Sequence, residues 1–269
     1  MQIIQNKKSA RWYDQNGAPV NEVPYADPEK GLRPTTLADA RKLGLLPSVT
    51  SVIAIKAKPA INQWRENNLL LQALTLDKPK DTDLGEWAKE IVRQWEEENA
   101  KGRDLGSLVH RLIERVLRFE NFDDLDIPER EKYIEAIAKL QTGDRLKNAD
   151  KLKVEESERS FVNKNHAFAG TIDFLGYFEG KRSIIDFKTQ GVKNGEVAIY
   201  RDWLMQLAAY YYGAFNPQND ALELINIVFS TTKPGEYFII RWPREEIAPA
   251  WVAFQASLAL WRWEHKFSK

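Results

Sequence analysis

The chain has 269 residues, 43% of them apolar, enough to bury a substantial core in one large domain or two small ones. Lys plus Arg and Asp plus Glu balance at 39 each, so no global basic field marks the chain for nucleic acid, and any such binding must use a local patch. The absence of cysteine excludes disulfides, thiolate zinc sites and cysteine-ligated iron–sulfur clusters, and leaves an oxygen-liganded metal open.

In chain order, residues 1–8 lack the apolar core of a signal peptide, and no stretch approaches the roughly 18 consecutive apolar residues of a membrane span. A soluble, cytoplasmic protein with no membrane contact is expected. No linker divides the chain, which reads as one domain over residues 1–269: an N-terminal arm and helical region to residue 99, a core over 100–242 and a closing helix over 243–269. The arm is irregular, with a turn at Asn16-Gly17, several prolines and helical character only over 36–43. Pro59 suits the first turn of a helix running to about Leu74. A second helical region starts near Asp83 and passes Glu98.

Gly102 and Gly106 punctuate that pattern. Beyond them Leu105, Leu108, Val109, Leu112, Ile113, Val116 and Leu117 recur at helical spacing and predict a strongly amphipathic helix. Pro128 is placed to open a helix over 129–140, and strand-like residues follow over 152–162. Two short apolar runs, 170–176 and 183–189, are joined by the turn-forming Glu179-Gly180-Lys181-Arg182 and read as a hairpin. After a polar loop come a helix over 198–215, strands over 222–231 and 237–242, and a Trp- and Ala-rich helix over 245–265. The sequence thus predicts a mixed α/β (α+β) fold with a central sheet flanked by helices.

The hairpin carries Asp173, Asp186 and Lys188 in otherwise Ile- and Phe-rich strands. Side chains two apart on a strand point the same way, so Asp186 and Lys188 project together. Burying such charges is costly unless they pair with one another or hold a cation, which makes a metal site the natural suspicion. An idle cross-strand salt bridge is the plain alternative. Spacings of four put His110 beside Glu114 and Gln206 beside Tyr210 on their helices. Lys56, Lys58 and Arg65 near Trp64, with Arg103, Arg111 and Arg115, could line a groove that neutralises phosphates, although solvated helix faces explain the same charges.

With these residues the chain resembles the PD-(D/E)XK nuclease superfamily, and within it the RecB-like branch that includes the mitochondrial genome maintenance exonuclease and many phage exonucleases. The resemblance rests on Gly106-Ser107-Leu108-Val109-His110 with Glu114, on Glu158, on Gly170-Thr171-Ile172-Asp173, on Ile185-Asp186-Phe187-Lys188-Thr189 and on Gln206-Leu207-Ala208-Ala209-Tyr210. It covers roughly residues 100–215, and Leu46-Pro47-Ser48-Val49-Thr50 looks like the opening of the same branch.

The resemblance implies a restriction-endonuclease-like core and a metal-dependent DNA exonuclease, acting on single strands or ends in repair, recombination or phage DNA processing. Asp173, Asp186, the Phe187 carbonyl and His110 would hold Mg²⁺ or Mn²⁺. Lys188 would orient or deprotonate the attacking water, and Glu158 would support the site from the neighbouring strand. Gln206 and Tyr210 would line the cleft, with Ser107, Lys56, Arg65 and Arg111 on the substrate side. No phosphate-binding Gly-rich loop is present, so no ATP motor is encoded, and translocation would need a partner such as a recombination or annealing protein. A duplex-end-processing exonuclease and a catalytically silent DNA-binding module of the same fold are the competing readings.

Overall fold

The computed structural model describes residues 12–56, 59–77, 82–142 and 152–267. The arm holds more sheet than its prolines suggest: β1 (Trp12–Tyr13) pairs with β4 (Leu46–Pro47), and β2 (Glu22–Pro24) pairs with β3 (Leu32–Pro34). Between them α1 (Leu37–Leu43) starts on a Thr36/Asp39 capping box and ends on Gly44 in the left-handed conformation. Ser48 caps the short α2 (Val49–Ile53), whose Val49, Val52 and Ile53 are buried. The arm is therefore part of the core.

Two long helices follow, α3 (Pro59–Thr75) and α4 (Leu84–Leu117). Gly102 and Gly106 do not interrupt α4, which runs unbroken for 34 residues. An interior glycine costs a helix about 1 kcal/mol relative to alanine, a penalty that tertiary packing overrides here. At Gly106 the reason is visible: a Cβ there would sit 2.7 Å from Thr189 Oγ1, so the missing side chain lets the helix approach the sheet. Next come α5 (Arg130–Thr142), β5 (Leu152–Asn163), β6 (Phe168–Phe178), β7 (Lys181–Gln190), α6 (Arg201–Ala214), β8 (Glu223–Ser230), β9 (Tyr237–Arg241) and α7 (Arg244–Glu264). These elements match the sequence expectation to within a few residues. The helix expected from residue 198 begins at Arg201.

Strands β5 to β9 form one five-stranded sheet in sequence order. The pairs β5–β6, β6–β7 and β8–β9 are antiparallel, while β7–β8 is parallel because α6 carries the chain back across one face. This is the expected mixed sheet flanked by helices. On one face Ile172, Leu175, Ile184 and Leu224 pack with α2, α6, α7 and Trp12. On the other, Phe174, Phe178, Ile185, Phe187, Ile225, Ile227 and Phe229 pack with α4 and α5. Both faces of β7 and β8 are covered, which is why these strands read as nearly continuous apolar runs.

Gly213, in the last turn of α6, tests how closely that helix lies on the sheet. A Cβ there would meet Phe161 at 2.5 Å and Phe168 at 3.0 Å. Gly213→Ala, a change that ordinarily favours a helix, is expected to lower unfolding free energy by about 1–3 kcal/mol in a urea titration. An equal or higher stability would contradict this packing.

Candidate active site

The site begins where two strands part. Strands β6 and β7 are paired from Phe178↔Lys181 to Phe174↔Ile185, and the ladder stops there, one residue short of Asp173 and Asp186. Strand β7 stays paired with β8 through Gln190, so it is β6 that diverges. The Phe187 N–H that continued pairing would have used is taken instead by Asp173 Oδ2, at 2.9 Å. A carboxylate thus stands in for a main-chain acceptor at the mouth of the fork.

On the far side of β6, Glu158 lies between the pairs Ser157↔Phe174 and Arg159↔Ile172 and so faces Asp173. Its φ of +54° is left-handed, a strained conformation for a residue other than glycine. Like charges opposite each other on adjacent strands repel. His110, at the edge of the α4 stripe formed by the buried Val109, Leu112 and Ile113, reaches Asp173 Oδ2 with Nε2 at 3.0 Å. One donor atom from each of His110, Glu158 and Asp173 lies within 4.8 Å of the others.

A second network shares the Asp173 fork. Lys188 Nζ lies 2.7 Å from Asp186 Oδ2, 3.0 Å from Asp186 Oδ1 and 3.0 Å from Gln206 Oε1. Gln206 Nε2 donates to Asp186 Oδ1 and to the Tyr210 hydroxyl, both at 2.7 Å. Asp186 is 1% exposed, and each of its partners is a donor. The pairing of Asp186 with Lys188 is thus real, but it is buried and cross-linked by Gln206, unlike an idle pair at a sheet edge.

The electrostatics follow from this crowding. Burial raises the Glu158 carboxyl to about 7, with Asp173 adding to the effect. For His110 burial works downward, yet the Asp173 charge and hydrogen bond carry the ring up to about 9. Burial likewise pushes Asp186 up to about 6 against the pull of Lys188. For Asp173 burial pushes upward, but His110, Lys188 and the Phe187 N–H outweigh it and hold the carboxyl below its ordinary value. Tyr210 is driven well up by burial and stays a neutral phenol.

The remaining expected residues are more dispersed. Ser107 is half-buried on α4 three residues before His110. Arg111 Nε is buried with no hydrogen-bond partner. Glu114 pairs with Arg118 at 3.0 Å, and Arg118 also donates to the Ser157 carbonyl next to Glu158. Lys56 is bound to Asp202 at the start of α6 and to Met205 Sδ at 3.5 Å. Arg65 is exposed and lies over the Trp95 ring at 5.4 Å, away from the fork residues in its contacts. Residues 1–8, Lys58 and the side chains of Trp64 and Arg103 lie outside the described residues.

Two groups escaped sequence reasoning. Asn226, fully buried on β8, donates to Asp186 Oδ2 at 2.7 Å. Its signal was available, since a lone amide between Ile225 and Ile227 must have a polar partner. Tyr13 of β1 bonds Thr171 Oγ1 at 2.9 Å, two residues from Asp173, and Thr171 in turn meets Ser160 Oγ at 3.0 Å. Nothing in the irregular arm pointed to it.

A model of the PD-(D/E)XK nuclease superfamily matches residues 76–220, more than half of the chain and the whole stretch from α4 through α6 that builds this fork. The chain belongs to that superfamily. Its mixed sheet with flanking helices is the restriction-endonuclease-like arrangement expected of a member. A crystal structure of a "putative exonuclease" from Eubacterium rectale is similar at 12% identity, over 61% of this chain and 69% of that one, with a TM-score of 0.44. No curated protein matches the chain. PD-(D/E)XK nucleases use divalent metals, and one imidazole with two carboxylates converging inside 4.8 Å is a donor set such a cation suits. Among the described residues, no helix is long and apolar enough to cross a membrane.

Glu158 and His110 both hold protons to higher pH in the folded chain than their ordinary values of 4.5 and 6.5. From about pH 4.5 to 9 the folded state therefore binds more protons than the unfolded one, and stability falls as pH rises. The thermal midpoint in chelator is expected to drop across that range. A divalent cation, which needs neutral imidazole and ionised carboxylates, should raise the midpoint more above about pH 8 than below about pH 6. A midpoint that climbs with pH in chelator would contradict these protonation states.

Proposed function

We propose that the protein is a divalent-metal-dependent deoxyribonuclease of the RecB-like branch, an exonuclease that hydrolyses phosphodiester bonds in single strands or at DNA ends. The observation that carries the proposal is the convergence of the His110, Glu158 and Asp173 donors on one side of the fork with the Lys188 amine on the other. A structural salt-bridge cluster has no need of a third carboxylate placed against Asp173. A hydrolytic centre does.

In this reading His110, Asp173, Asp186 and the Phe187 carbonyl would hold Mg²⁺ or Mn²⁺, with Glu158 directly beside them; both cations take the oxygen donors, and Mn²⁺ also accepts the imidazole. The bound cation supplies Lewis-acid polarisation of a phosphoryl oxygen and acidifies water. The chain's own residues do the rest. Lys188, fixed by Asp186 and Gln206, orients the attacking water and offsets charge developing on the phosphate. To reach a phosphate oxygen it gives up the longer of its two Asp186 contacts. Gln206 keeps the amine in place through that change, because its own amide is anchored by Tyr210 and Asp186.

On the substrate side, Ser107 and Arg111 lie on the turns of α4 around His110; the Arg111 Nε–H is buried without a partner, so a phosphate contact from Arg111 would come from the end of its guanidinium. Lys56, in the turn after α2, and Arg65, on α3, are assigned to DNA by the resemblance alone; in the free protein Lys56 is bound to Asp202 and Arg65 is stacked over Trp95. With this function the protein works in the cytoplasm on DNA, and any long-range processivity comes from a recombination or annealing partner.

End-labelled single-stranded, blunt and tailed DNA with Mg²⁺ or Mn²⁺ tests the proposal. Lys188→Ala and Asp173→Ala are each expected to lower kcat roughly 10²–10⁴-fold, with DNA binding in Ca²⁺ changed far less. Full activity in either variant would refute the role assignments.

A further inference from the structure

Asp186 is held from behind by two residues outside the motif that places it. Asn226 sits directly beside Asp186 in the parallel β7–β8 register and has no exposure to solvent. Its Nδ2 donates to Asp186 Oδ2 at 2.7 Å and to the Asp186 main-chain carbonyl at 3.2 Å. Its Oδ1 accepts the Trp242 indole N–H at 2.8 Å. Trp242, just past β9, is pinned by its own main-chain N–H on the Leu224 carbonyl at 3.1 Å.

An amide can turn over with little change in shape, exchanging its donor end for its acceptor end. An indole N–H can only donate. Trp242 therefore demands the Asn226 oxygen, and both Asn226 hydrogens are left to face Asp186. Donating at once to the side chain and the main chain of one residue also restricts how the carboxylate rotates.

We propose that Asn226 and Trp242 form a positioning relay that sets the Asp186 carboxylate and, through it, the Lys188 amine. The purpose of the relay rests on the nuclease function proposed above; its existence rests on the hydrogen bonds alone. Position 226 points to the same face as Leu224 and Val228, where an aliphatic residue would pack without any polar partner. An amide there is explained by Asp186. Had its role been only to satisfy Trp242, a single acceptor would suffice, and the two contacts to Asp186 would be idle.

The test uses the full chain and three variants. Trp242→Phe removes the N–H while keeping an aromatic ring, Asn226→Leu removes the amide at similar volume, and Asn226→Asp replaces the donor with a second carboxylate facing Asp186. Loss of an outer partner of a metal ligand typically weakens metal binding or activity by about 10–100-fold. Mn²⁺ affinity by calorimetry is expected to fall by about tenfold or more in Trp242→Phe and further in Asn226→Asp. With DNA, kcat should fall while KM holds, at a thermal midpoint that a purely packing role would lower without touching kcat per folded molecule. Unchanged Mn²⁺ affinity and kcat in Trp242→Phe would overturn the relay's role.

The Trp242 indole N–H resonance, assigned from its loss in Trp242→Phe, supplies a readout free of metal and DNA. Its exchange with solvent should speed up by at least about tenfold in Asn226→Leu, or in Asn226→Ala if the leucine variant does not fold, since both remove the acceptor oxygen. Unaltered exchange would overturn the relay even in an active nuclease. Conversely, a wild-type protein that cleaves no DNA under any divalent cation, together with faster exchange in Asn226→Leu, would sink the nuclease proposal and leave the relay standing.

Discussion

Repulsion between Glu158 and Asp173 is the constraint around which this structure is arranged. Two carboxylates face each other across neighbouring strands, in a place where burial already penalises charge. Such a pair persists only with a compensating positive charge or proton. Without metal the fold supplies compensation from three directions: the His110 ring, the Phe187 N–H and a proton retained on Glu158 to near neutral pH. A divalent cation satisfies the same demand from one point.

The surrounding architecture follows from keeping that point open. If β6 and β7 stayed zipped past Phe174, the Phe187 N–H would be consumed by the ladder and Asp173 would lose its anchor. The strands part, and the left-handed backbone at Glu158 brings its carboxylate to face the gap. Helix α4 must then come close enough for His110 to reach across, and the bare backbone of Gly106 against Thr189 allows it. The energetic penalties of a mid-helix glycine and a strained glutamate are small beside the packing of Phe174, Phe187 and Phe229 against Val109, Leu112 and Ile113. The core holds the strain in place.

Two hydrogen-bond networks meet at the fork with different characters. The His110–Glu158–Asp173 group is largely buried yet reaches solvent, titrates near neutrality at Glu158 and is built from groups that compete for protons. The Asp186–Lys188–Gln206–Tyr210–Asn226–Trp242 group is mostly buried, and its amides have orientations dictated by their partners. One is suited to exchange protons for a cation. The other is suited to hold an amine still, and the Phe187 peptide joins them.

Much of this was legible in the primary structure. Apolar periodicity located the second half of α4, β-branched and aromatic runs located the strands of the main sheet, and Pro59 and Pro128 marked the starts of α3 and α5, because burial imposes a period of 3.6 or 2 wherever one face meets a core and proline suits a first helical turn. Charged residues in apolar strands marked Asp173, Asp186 and Lys188, since such residues persist only with a partner. The spacing of four between Gln206 and Tyr210 placed them on one helical face, and the structure shows them bonded. Local pattern says nothing about which groups from distant segments converge, however. The sequence alone determined the helices and strands from residue 59 onward to within a few residues, the acidic and basic residues of the hairpin and the superfamily resemblance, but not the short strands of the arm. Only the tertiary structure decided that the ladder opens at Asp173, that Glu158 turns to face it through a left-handed residue, that Lys56 is bound to Asp202, and that Asn226 and Trp242 stand behind Asp186. Each of those depends on strand register and helix approach, quantities set by the packing of residues far apart in the chain.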